Sequence, residues 1–173
     1  MASMKDILDK VTKGGMAYTN LFKVIVEGGP SSSPISTALE FRAKGSQLPS
    51  SELGVMEVPY RGRKLKVPSQ RSFSEWTVTI METKNMEVRT LLEEWMEKLD
   101  GAETGKRDPT QLAKIKVSML DPKNLESSTI TFVLEGAFPS AIGAIELSYD
   151  EQTAPLEYQA TFQYSYHLLD KGK

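Results

Sequence analysis

Residues 128–169, STITFVLEGAFPSAIGAIELSYDEQTAPLEYQATFQYSYHLL, contain three alternating runs joined by short turn segments. Ile130, Phe132 and Leu134 share one side in the first run, and Ile145, Leu147 and Tyr149 in the second. In the third run Leu156, Tyr158, Ala160, Phe162, Tyr164 and Tyr166 do so. A strand turns successive side chains to opposite faces. The spacing therefore predicts strands with one apolar face and a wet face of Thr129, Thr131, Glu146, Ser148, Gln159, Thr161, Gln163 and Ser165. Such a sheet is a wall, with one side packed on protein and the other bordering solvent.

Upstream, 21–27 reads as a strand and 28–36, GGPSSSPIS, as a flexible loop, because Gly, Pro and Ser punctuate turns and bury little. A strand around 38–44 follows. Residues 55–60 and 63–67 alternate around Arg61-Gly62, predicting a hairpin that Pro59 and Pro68 confine to an edge or a projection. The next strand is 73–81, with Trp76, Val78 and Ile80 opposite Thr77 and Thr79. The period then changes. From 86 to 99 the apolar residues Val88, Leu91, Leu92, Trp95 and Leu99 recur at three and four, which predicts an amphipathic helix with Asn85 as N-cap and Gly101 as its end. An exposed loop at 102–110 leads to a strand with Ile115, Val117 and Met119, ending at the Asp121-Pro122 turn. At the start, Ser3 can cap a short helix carrying Ile7, Leu8 and Val11, closed by Gly14 and Gly15. The sum is a mainly β chain of seven or eight strands with one substantial α-helix, an antiparallel β-sandwich or partial barrel. It is expected to form a single domain over 1–173, with an N-terminal arm at 1–15, a projecting hairpin at 55–67 and the helix at 86–99.

A chain of 173 residues is long enough to bury a sizeable core. It has no cysteine, which excludes disulfides, thiolate nucleophiles and Cys-type metal sites. No apolar run approaches the roughly 20 residues of a membrane span, and 1–15 lacks the apolar centre of a signal peptide, so a soluble, non-exported chain is expected. The single histidine, His167, falls on the face opposite Tyr164 and Tyr166, with no serine or second imidazole placed to work with it. A structural or surface role suits it better than catalysis. Glu87, Glu93, Glu94 and Glu97 lie on the polar side of the predicted helix, the usual home of such residues. There is no metal-binding spacing and no glycine-rich phosphate cradle, so neither cofactor nor enzyme activity is expected. A monomeric β-barrel that holds a small ligand is the alternative from another class, and a hydrolase would need a converging carboxylate pair that the sequence does not offer.

Charge is unevenly distributed. Lys and Arg exceed Asp and Glu by 11 to 7 up to Glu75 and fall short by 10 to 16 from Trp76 onward. Five cations, Arg61, Arg63, Lys64, Lys66 and Arg71, fall within eleven residues. They read as a solvated hairpin protecting a sheet edge, as a nucleic-acid patch, or as a plug for an acidic surface on an identical neighbour. The nucleic-acid reading is weakened by Tyr60 being the only ring in the cluster.

Two blocks, 63–99 (RKLKVPSQRSFSEWTVTIMETKNMEVRTLLEEWMEKL) and 136–150 (GAFPSAIGAIELSYD), resemble the tail tube proteins of contractile-tailed bacteriophages. The order is specific: a basic hairpin, an Arg-x-Phe turn, a Glu-Trp-Thr-Val-Thr strand and an acidic helix around Trp95. Gly136, Phe138, Pro139, Gly143 and a Glu-Leu-Ser-Tyr-Asp segment follow, then a last long strand.

The resemblance implies homohexameric rings stacked head to tail into a hollow tube in the virion tail, assembled in the host cytoplasm, inside a contractile sheath. Each partial barrel would complete a larger β-barrel on hexamerisation. Partners would be the tail sheath protein, a baseplate or tube initiator and a tape measure protein, with DNA passing through without tight binding. The same fold serves type VI secretion tubes and related contractile injection particles. Four strands from each of six copies, spaced about 4.8 Å and tilted about 40°, give a barrel roughly 45–50 Å across. That is wider than the roughly 20 Å of duplex DNA. A conduit must not grip phosphates, so a neutral or acidic bore is expected. Thr77, Thr79, Gln159, Thr161 and Gln163 are candidates to line it. Arg61, Arg63, Lys64, Lys66 and Arg71 are then expected at ring-to-ring contacts, and Glu87, Glu93, Glu94 and Glu97 on the exterior facing the sheath.

Overall fold

A computed structural model describes residues 18–30, 32–122, 124–145, 147 and 155–170. In chain order the described elements are β1 (Phe22–Gly28), α1 (Ser32–Arg42), β2 (Ala43–Ser46), β3 (Ser51–Tyr60), β4 (Arg63–Phe73) and β5 (Trp76–Met81). Then come α2 (Glu87–Leu99), β6 (Ala113–Asp121), β7 (Asn124–Ile142), β8 (Glu157–Gln163) and β9 (Tyr166–Asp170). All strand pairs are antiparallel. Seven strands make one open sheet in the order β1-β6-β7-β8-β5-β2, with β9 added to β7, while β3 and β4 pair only with each other.

The long strand β7 turns the sheet through a corner. Its 131–135 stretch lies between β6 and β9, and its 138–142 end pairs with β8. Gly136 stands at the changeover with φ of 67°, a backbone conformation that side chains resist, and the β6 ladder slips register beside it. One face of the sheet is apolar. Val24, Val26, Ile115, Val117 and Leu134 meet Trp76, Val78, Ile80, Tyr158, Ala160 and Phe162 in one core. Helix α2 closes it with Val88, Leu92 and Trp95, spaced at four and three on one face. Both indoles have partners: Trp95 Nε1 donates to the Gln111 carbonyl at 2.8 Å and Trp76 Nε1 to that of Gln47 at 2.7 Å. Their rings tilt against Phe162 at 6.2 and 5.5 Å.

Several expectations are corrected. The segment read as a loop at 28–36 and a strand at 38–44 is instead α1, followed by the short β2, so there are two helices among the described residues. Its buried positions, Ile35 and Leu39, are one turn apart, and Pro34 sits in the first turn, where a missing N–H does no harm. Its Ser36 hydroxyl accepts from Val26 N at 3.3 Å, so a residue read as loop chemistry ties the helix to β1. The second alternating run is not a strand at 143–145 or 147, and Leu147 is 86% exposed. Its remaining residues, including Tyr149, lie outside the described ones, as does the 1–15 arm. Asn85 is not the helix N-cap: Met86 takes that place at φ of 49° with no side-chain cap bond.

The third run also breaks. The strand ends at Gln163 and restarts at Tyr166, because the chain passes from the far end of β7 to its near half, where Ser165 N donates to the Glu135 carbonyl at 2.9 Å. Parity is lost at that step. Tyr166 is exposed, and His167 lies beside Tyr164 with ring centroids 6.0 Å apart, not on the opposite face.

Candidate functional site

All five candidate wall residues share one face. Thr77 stands opposite Thr161 and Thr79 opposite Gln159, on the side of β5 and β8 away from the core, and Gln163 follows on the same row. Ser140 and Ala141 of β7 extend that surface, both exposed. Its charges are few: Lys44 pairs with Glu157 at 2.6 Å, and the Glu75 carboxylate accepts from the neutral Gln163 Nε2 at 3.3 Å. The half-sheet β7(138–142)-β8-β5-β2 ends in two open edges, since β2 is terminal and the 138–142 end of β7 pairs with β8 alone.

The hairpin is longer than expected, running from Ser51 to Phe73. Arg61 at φ 45° and Gly62 at φ 76° form a two-residue turn of the kind that matches strand twist. Direct pairing puts Tyr60 with Arg63, Val58 with Leu65 and Met56 with Val67 on one face. The other face carries Pro59 with Lys64 and Glu57 with Lys66. The five cations are therefore not one patch. Lys64 is neutralised by Glu57 at 2.8 Å, Arg61 covers the Tyr60 ring at 5.4 Å, and Arg71 lies back near the root opposite Leu53. What the hairpin presents as a surface is apolar: Met56, Val58, Tyr60, Leu65 and Val67 are all 39–56% exposed. The alternation that produces this face is visible in the sequence.

The four helix carboxylates are exposed, as their spacing predicts. Three have local partners: Glu87 accepts from Arg42, Glu93 pairs with Arg89 at 3.5 Å, and Glu97 accepts from Ala102 N at 3.3 Å. The hydrogen bond from Arg42, then that from Asn85, holds the Glu87 carboxyl below its usual range. Glu94 has no partner among the described residues.

Glu82 was missed in sequence. Its side chain is fully buried, accepts from Tyr158 Oη at 3.0 Å and from Arg89 N at 2.7 Å, and lies 3.5 Å from Arg42 Nη1 without hydrogen-bond geometry. Arg89 N is one of the donors that the start of α2 leaves unpaired, so a carboxylate from outside the helix performs the capping. Burial, then the Glu82 charge, push the Tyr158 phenol far up. The network joins α1, α2 and β8 to the residue that follows β5. No local motif in Glu-Thr-Lys-Asn-Met announces it, because its partners lie on three separate elements.

Among solved structures, the fold is shared with a chain of the PVC sheath–tube complex, an extracellular contractile injection system in its extended state. The TM-score is 0.69 at 12% identity, over 99% of this chain and 100% of that one. A chain of the anti-feeding prophage baseplate gives 0.67 at 14%, over 90% and 95%. The class is thus the open-edged β fold found in contractile injection assemblies. The family model for "Phage tail tube protein" matches residues 15–170, and the chain belongs to that family. It is a structural component of the phage tail. Tail tube protein gp19 of Enterobacteria phage T4 is 23% identical over 163 residues, 93% of this chain and 96% of that protein. The tail tube protein of Serratia phage KSP90 is 24% identical over 128 residues, 72% and 71% of the two chains.

Proposed function

We propose that six copies of this chain close into a ring, that rings stack head to tail into the inner tube of a contractile tail, and that the tube conducts DNA during ejection. The observation that carries this is the four-stranded half-sheet with two open edges and a largely polar face of few charges. Its strands alternate in direction, and four is an even number. Rotation about a tube axis therefore brings the β2 edge of one copy beside the β7 edge of the next in antiparallel sense, and both edges of the half-sheet find a partner. The polar face then lines the bore with Thr77, Thr79, Gln159, Thr161 and Gln163, and its one cation, Lys44, is already neutralised. A wall of this kind offers phosphates little to release counterions against.

The hairpin is the stacking element in this reading. An isolated two-stranded ribbon is marginal in water, and this one exposes an apolar face that a neighbouring ring would cover. Arg63 borders that face, Lys64 and Lys66 take the reverse side, and Arg61 and Arg71 mark the two ends. The outward carboxylates of α2, Glu94 foremost, are left to meet the sheath. A baseplate initiator and a tape measure protein complete the partners, and the role is structural rather than enzymatic. A secretion or injection tube would use the same geometry; the phage reading is preferred because the named sequence relatives are phage proteins. A ligand-binding monomer is disfavoured because the core is filled by Trp76, Trp95 and Phe162. Negative-stain electron microscopy at rising protein concentration should show rings and hollow filaments. Reversing charge at Arg63 and Lys66 should leave the protomer folded and abolish filaments. A protein that stays monomeric at every concentration overturns the tube, and normal filaments from the charge-reversed variant overturn the stacking assignment.

A further inference from the structure

Three rings hold the root of the hairpin. Phe73, the last residue of β4, lies edge-on to the His167 imidazole at 5.0 Å and tilted against Tyr164 at 6.1 Å. The Tyr164 hydroxyl reaches the Ser50 carbonyl, just before β3, at 3.5 Å, and His167 Nδ1 at the same distance. The imidazole also packs edge-on to Phe132 of β7 at 5.7 Å. Ser51 and Phe73 form the last rung of the ribbon, so both of its strands enter the body through this cluster. Beyond it stretches a strand of 10 residues. At about 3.3 Å per residue, a rotation of about 10° at the root displaces the tip by roughly 6 Å. Contacts at the tip therefore depend on how firmly the root is held.

His167 is the only histidine of the chain. Facing it are Arg71 from β4, the Tyr164 phenol, which burial pushes up and keeps neutral, and Phe132 and Leu134 of β7. No carboxylate among the described residues acts on the ring. Burial, then the Arg71 charge, hold the imidazole below its ordinary value.

We propose that Phe73, Tyr164 and His167 form a clasp that sets the direction of the hairpin and opens when His167 takes a proton, so that ring stacking weakens on acidification. This rests on the stacking role assigned above to the hairpin. The sign follows from linkage. A depressed histidine favours its neutral form when folded, so the clasp is complete above the ordinary value of 6.5 and is lost as pH falls through the lower folded value.

Hydrogen exchange of the full chain at about pH 7.5 and about pH 5.5, corrected for intrinsic rates, tests the clasp, with filament pelleting measured in parallel. In the unmodified protein, protection at Ser51, Glu52, Ser72 and Phe73 should fall by about threefold to tenfold on acidification, the loss of one aromatic pair, while β5 and β8 hold theirs. His167→Phe keeps a ring without a charge and should stay protected at both pH values; His167→Gln should be low at both. Equal loss in the unmodified protein and His167→Phe, or no loss in either, overturns the proposal. So does a titration midpoint above 6.5 for the single imidazole resonance, which requires no variant. If exchange follows the expected pattern while pelleting ignores it, the clasp stands and the stacking role of the hairpin falls.

Discussion

The β3–β4 hairpin and the β5–β8 pair are written in the same pattern and meet opposite fates. In β5 and β8, Trp76, Val78 and Ile80 face Phe162, Ala160 and Tyr158 across one ladder, and two helices bury them. In the hairpin, Met56, Val58 and Tyr60 face Val67, Leu65 and Arg63 across another, and all six are exposed. Alternation states that a face needs cover. It does not state whether the cover comes from the same chain. Where α1 and α2 supply it, the result is a core; where nothing among the described residues does, the result is an exposed apolar face, which the proposed stacking would cover.

That contrast can be broken most severely at Trp95. Trp95→Ala removes the ring on which α2 closes over Phe162 and should cost about 3–5 kcal/mol, measured by urea unfolding. A loss under about 1 kcal/mol would mean that the core tolerates what the hairpin already lives without. Leu65→Asp is the counterpart on the exposed ribbon. Protomer stability should change by no more than about 0.5 kcal/mol, while the concentration needed for filaments rises by more than about tenfold. A variant that unfolds the protomer would place the hairpin face within the fold after all. The smallest effect is expected from Gly62→Ala. No atom of the described residues lies near the added methyl, so the strain of positive φ remains, about 1 kcal/mol within the turn. Exchange at the hairpin tip should report it, and the melting temperature of the body should not.

Much of the fold was legible. The strands at β1, β5, β6 and β8 and the helix α2 follow from periods of two and 3.6, because each packs one face on a core inside the same chain. That Thr77, Thr79, Gln159, Thr161 and Gln163 share the face away from the core was legible for the same reason: once Trp76 and Phe162 point inward, Thr77 and Thr161 must point out. The misses have separate causes. α1 carries only Ile35 and Leu39 as buried anchors behind a Ser-rich start, so turn chemistry outweighed its helical spacing. The run at 145–149 alternates, but the ladder with β8 ends at Ile142 with one further bond from Gly143 N to the Gln159 carbonyl, and 143–145 and 147 are not strand.

By itself the order of residues determined the class of this protein: a cysteine-free, mainly antiparallel β chain with a polar wall, an acidic helix and a basic hairpin, specific enough to indicate the tail tube family. Two matters were decided only in three dimensions. Glu82 gathers partners from three elements, and His167 turns toward Tyr164. The first depends on which distant elements meet, the second on a break in parity, and a slip of one residue in a ladder reverses every side chain beyond it. Such slips are set by which strand lies alongside, here by the corner that β7 turns at Gly136, and no local stretch of sequence carries that information.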